Sequence, residues 1–175
     1  MSTSLIITLV GAALFISLGA YVRWLARQPV YHRGKRAADF PPFIATLRSE
    51  SPDGAVLVIE HEATKRFVQF AKYVEEPDDL AITLGFPDAP WSRAFYEPVR
   101  QRLVAAGFEV SESFGTGTIV PRFLDVTGLS EPDHAAGAAV AVFAAMRIGV
   151  EATFTLHWPQ PAGAREQVEF KPRAV

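Results

Sequence analysis

The chain has 175 residues and no cysteine, which excludes disulfides, thiolate metal sites and cysteine nucleophiles and fits a reducing compartment. Its net charge of −2 is unevenly spread. Five of the 17 basic residues and none of the 19 acids fall in residues 1–36, so residues 37–175 carry −7. An acidic body repels a phosphate backbone, and nucleic acid is not expected as a partner.

Residues 5–22 form an uncharged, largely apolar run. As a helix it rises about 27 Å, close to the roughly 30 Å hydrocarbon core of a bilayer. A cleaved signal would carry a basic start, a shorter apolar core and a small-residue cleavage site, but only Met1, Ser2, Thr3 and Ser4 precede the run. Residues 1–28 are therefore read as a retained, single transmembrane helix, ended by Pro29, which disfavours helix at Gln28. All five cations follow the run. The positive-inside rule then places the amino terminus outside and the C-terminal domain on the cytoplasmic side of the inner membrane. Tyr21 and Trp24, with Arg23 and Arg27, sit where an interfacial belt belongs. Thr8 and Ala12 recur on one helix face and Ala13 and Ser17 on its neighbour, a spacing that lets another membrane helix come close.

Residues 29–40 read as a basic juxtamembrane linker, and an α+β domain is expected over 41–158, followed by a polar tail over 159–175. Pro41 and Pro42 open a helix to about Ser49, because a first turn tolerates proline. Three strand signals follow. Residues 55–60 are nearly continuous apolar, 66–74 are rich in aromatic and β-branched residues, and 80–86 alternate cleanly. The polar connectors between them are short and favour antiparallel hairpins. A helix ending at Gly107 is expected, with Phe95, Val99, Leu103 and Ala106 as its apolar stripe; it starts near Ser92 with a distortion at Pro98 or, as the alternative, near Glu97 with Pro98 in its first turn. Strands over 108–114 and 118–126 come next. A helix capped by Ser130 runs to about Ile148 with Gly149 after it, and a last strand covers 150–158. The segment 135–146 is apolar all round but too short to span a bilayer, so it is expected to pack on the sheet.

The resulting order, α-βββ-α-ββ-α-β, resembles the type III secretion chaperone fold and its YbjN-like relatives. The local texture is similar too: Arg66-Phe67-Val68-Gln69-Phe70, then Leu84-Gly85-Phe86-Pro87, a helix, and Ala105-Ala106-Gly107-Phe108. The resemblance spans about residues 40–149. It implies a non-catalytic domain that binds protein segments, often as a dimer. The membrane anchor and the extra C-terminal strand depart from it.

No catalytic group, metal site or cofactor is expected. The four histidines, His32, His61, His134 and His157, show no metal-ligand spacing. On a strand, Glu60 and Glu62 point one way and His61 the other. Gly115-Thr116-Gly117 lacks the residues of a phosphate loop and reads as a hairpin turn, and Glu75, Glu76, Asp78 and Asp79 lack calcium-loop spacing. Ser92, Ser111 and Ser113 lie in no nucleophile elbow. Trp91, Phe95 and Tyr96 cluster after a proline turn and are the candidate partner-binding aromatics. The expected partners are the lipid bilayer and other membrane protein subunits, with a peptide client as the alternative. The leading expectation is an accessory subunit of a larger membrane complex, respiratory or photosynthetic in kind. A membrane-tethered peptide-binding chaperone comes second, and an enzyme without a recognisable motif third.

Overall fold

The computed structural model describes residues 30–72, 82–114 and 122–158. The predicted membrane helix, with Thr8, Ala12, Ala13, Ser17, Tyr21, Arg23, Trp24 and Arg27, lies outside the described residues, as do the acidic connector after the second predicted strand, the Gly115 turn and the tail. Among the described residues no helix is long and apolar enough to cross a membrane.

The chain builds β1 (Val30–Lys35), a 3₁₀ turn (Ala37–Asp39), α1 (Phe40–Ser49), β2 (Val56–His61), β3 (Phe67–Lys72) and β4 (Ile82–Pro87). A second 3₁₀ turn (Arg93–Phe95) leads into α2 (Tyr96–Ala105), then β5 (Val110–Ser113), β6 (Phe123–Leu129), α3 (Pro132–Ala145) and β7 (Phe154–Trp158). The seven strands form one sheet in the order β1-β7-β2-β3-β4-β6-β5. Antiparallel register sets Leu57 opposite Phe70, Ile59 opposite both Val68 and Leu156, and Leu84 opposite both Phe70 and Val126. Directly opposed residues share a face, so these side chains pool into one apolar surface. All of them are fully buried.

The helices form a single layer on that surface. α3 lies between α1 and α2 and touches both. Its alanines at 135, 138 and 139 are fully buried, which lets the helix backbone approach bulky sheet residues closely. α1 contributes Phe40, Ile44 and Leu47, and α2 contributes Tyr96, Val99 and Leu103. Phe40, Phe143 and Phe154 join α1, α3 and β7, with Phe154 4.7 Å from Phe143 and 5.0 Å edge-on from Phe40.

Several details differ from the sequence-based expectations; the sixth strand runs on to Leu129, and the last begins only at Phe154. Residues 30–35 are an edge strand where a connector was predicted; their backbone pairs without an apolar pattern, and Gly34 N donates to Glu62 Oε1 at 2.8 Å. α2 begins at Tyr96 with Pro98 in its first turn, the alternative start and not the favoured one near Ser92, and a 3₁₀ turn lies ahead of it. α3 has Glu131 at its N-cap and no side-chain cap there, so Ser130 does not play that part. Finally, α3 ends earlier than Gly149. Arg147 takes the left-handed conformation at φ +62°, its N–H bonding Ala144 O, while Ile148 N–H reaches back to Phe143 O. That pair of bonds is a Schellman ending with arginine in the position glycine usually holds.

Phe154→Ala removes a ring shared by two helices and a strand. It is expected to cost about 3–5 kcal/mol, read as a lower urea midpoint with an unchanged m-value.

Candidate functional site

The segment after β4 is fixed by polar contacts before it can present anything. Asp88 is almost fully buried and accepts from Arg122 Nε at 2.8 Å and Arg93 Nε at 3.4 Å. The Arg122 hydrogen bond holds its carboxyl below the usual carboxylate range, against the opposing effect of burial. Ser92, fully buried, accepts from Ala89 N at 2.8 Å and directs its one proton to the Pro87 carbonyl, with the Ala89 carbonyl farther off at 3.1 Å. Its hydroxyl is thus committed to the turn. Trp91 packs 5.2 Å from Phe67 and edge-on to Phe86. These contacts set the 3₁₀ turn that carries Ala94 and Phe95 as one wall of a groove.

The groove has a volume of about 620 Å³ and lies between that turn, the β2–β3 turn and the end of α3. Its accessible apolar lining includes Ala94, Phe95 and Pro98, while Met146 and Ile148 form its floor from within the core. Its polar lining is His61, Thr64, Arg66 and Arg147, and among the described residues no acid lines it. Arg66 organises the site. Its Nη1 donates to Met146 O at 3.2 Å, closing the carbonyl end of α3, and its guanidinium lies 4.3 Å over the Phe95 ring. A cation at a helix C-terminus and over an aromatic face is favoured on both counts. His61 Nδ1 shares a 2.8 Å hydrogen bond with Thr64 Oγ1. Burial, then the Arg66 charge, holds the His61 imidazole below 6.5, while Glu62 acts the other way.

The three sequence-predicted partner aromatics have different fates. Phe95 is half-buried and lines the groove, Trp91 is half-buried against Phe67 and Phe86, and Tyr96 is buried in the core. Among the described residues Tyr96 Oη has no hydrogen-bond partner, and burial raises the phenol well above its usual range. Arg122 lies 4.4 Å over its ring. Sequence reasoning did not single out Arg66 or Arg147 for the groove, because the turns that bring them together are more than 80 positions apart. The one local hint was a charged residue between apolar neighbours at a helix end, Met146-Arg147-Ile148.

Away from the groove, the carboxylates are engaged or isolated. Glu62 Oε1 also accepts from Thr155 Oγ1 at 3.0 Å, and Glu60 pairs with Lys65 at 3.0 Å. On the sheet face opposite the helices, Asp125 is 7% exposed, and burial raises its carboxyl, with Ser113 acting in the opposite direction. A Cβ at Gly85 would sit 3.4 Å from the Gln69 side chain and 3.5 Å from Asp125 Oδ1, ordinary contact distances. Among the described residues no three His, Asp or Glu side chains converge as metal ligands would.

Compared with protein-family models, with curated proteins and with solved structures, the chain matches none.

Two measurements check this account. Tyr96→Phe removes a buried hydroxyl that bonds to none of the described residues, so stability should hold or rise by about 1 kcal/mol in urea unfolding. His61 and His157 both titrate below 6.5 when folded, in each case mainly through burial. The folded chain therefore binds fewer protons than the unfolded one at mildly acidic pH. The stability present above 6.5 is lost as pH falls toward the folded values. Urea midpoints measured from about pH 7.5 down to about pH 5 should fall, and the fall should be smaller in the double variant His61→Gln, His157→Gln.

Proposed function

We propose that the protein is a non-catalytic, single-pass membrane subunit that stabilises a larger membrane protein complex through its helix and its α+β domain. The observation that carries this reading is the uncharged run of residues 5–22 followed by five cations with no intervening acid. The amino terminus then lies outside and the acidic domain meets its partners at the cytoplasmic face. Supporting the non-catalytic part, the buried Ser92 hydroxyl bonds to backbone, the Thr155 hydroxyl serves Glu62, and Asp88 is held by two arginines. Neither Ser92 nor Asp88 is paired as a nucleophile with a base.

A second reading, a membrane-tethered peptide-binding chaperone, draws support from one feature. The order α1, β2-β3-β4, α2, β5-β6, α3 is the order that the type III secretion chaperone resemblance implies. It predicts transient clients in place of a stable complex.

Alkaline carbonate washing should leave the full-length chain in the membrane pellet, and after mild detergent extraction it should migrate in native electrophoresis well above its own mass of 19.1 kDa. Release by carbonate overturns the anchor. Retention in the pellet with migration only as a free species overturns the stable subunit and leaves the chaperone reading.

A further inference from the structure

The domain is acidic overall, yet the groove beside Phe95 has Arg66, Arg147 and His61 in its lining and, among the described residues, no carboxylate. Neither Arg66 nor Arg147 has an acidic partner among the described residues. Arg66 spends one nitrogen on Met146 O, which leaves other donors of its planar fork free. Arg147 is exposed, and its backbone is held in the left-handed region. Among the described residues only one other non-glycine shares that conformation, Lys65, which lies between the lining residues Thr64 and Arg66. An unstrained chain would put glycine at such positions. Both departures border this groove, and one of them places a cation on its rim.

We propose that the groove binds an apolar carboxylate, with the anion between Arg66 and Arg147 and the hydrocarbon part against Ala94, Phe95 and Pro98. The choice of a monoanion follows from the α3 carbonyl end at the groove. The negative helix terminus opposes a dianionic phosphate more strongly than a single carboxylate. The choice of an apolar body follows from the lining, which is carbon-rich away from the cationic side chains. Two sources supply this chemistry: a free organic acid and the C-terminus of a polypeptide ending in an apolar residue. The inference stands independently of the membrane anchor.

The test uses the full chain and titration calorimetry with two pairs of probes. One pair is 4-phenylbutyrate against 4-phenylbutanol; the other is N-acetyl-Ala-Ala-Leu as free acid against its amide. At least one acid should bind at least tenfold more tightly than its neutral analogue. A preference for phenylbutyrate assigns free acids, and a preference for the peptide acid assigns polypeptide C-termini. Arg147→Gly removes the cation and relieves the left-handed strain together. It should weaken the acid at least tenfold while raising the urea midpoint, so the loss cannot be ascribed to unfolding. Acids no tighter than their neutral analogues, or affinity unchanged in Arg147→Gly, would overturn the proposal.

Discussion

A single guanidinium ties together three stretches that the sequence keeps far apart. Arg66 leaves the β2–β3 turn, crosses over the Phe95 ring and ends on the last carbonyls of α3. The alanine-rich helix in the middle of the helical layer depends on such a stop. Its buried alanines interlock little, and Phe143 is the large side chain it seats between α1 and β7, so the way its end is fixed matters. The Schellman bonds at Arg147 and Ile148 fix the backbone, Arg66 satisfies Met146 O, and Ile148 is buried against the core. The groove is what remains beside this arrangement.

The order of the described elements from α1 to β7 was legible because their patterns are strong. Leu57 and Ile59, Val68 and Phe70, and Leu84 and Phe86 alternate onto one face, and the structure pairs them across strands as that alternation requires. β1 was not legible. Residues 30–35 are mostly exposed and carry Arg33, Gly34 and Lys35, so no apolar period marks them; pairing comes from the backbone and from Glu62. The end of α3 was misplaced for a different reason. Gly149 is the natural stopping residue by local preference, but burying Ile148 sets the stop two residues earlier and forces Arg147 into the left-handed region. Tertiary burial outweighed local preference there.

Of the candidate site, sequence reasoning reached Phe95 and no other groove residue. Its neighbours Trp91 and Tyr96 serve packing: one wedges between Phe67 and Phe86, and the other carries Arg122 on its ring. Asp88 and Ser92 had no local pattern that marked them, yet together they shape the turn that points Phe95 into the groove. Charge followed a similar logic at two scales. The excess of acid in residues 37–175 was plain from counting, whereas the lining around Arg66 and Arg147, acid-free among the described residues, appears only once three distant turns meet.

The edge position of β1 has a consequence for how copies of the chain treat one another. A terminal strand with a neighbour on one side is a template for uncontrolled strand addition. Arg33 and Lys35 lie on that strand, so two copies approaching β1 to β1 would bring like charges together, and the opposite rim, β5, is only four residues long. Fibre-like growth through the sheet is thereby discouraged at both rims, leaving side-chain surfaces as the means of association.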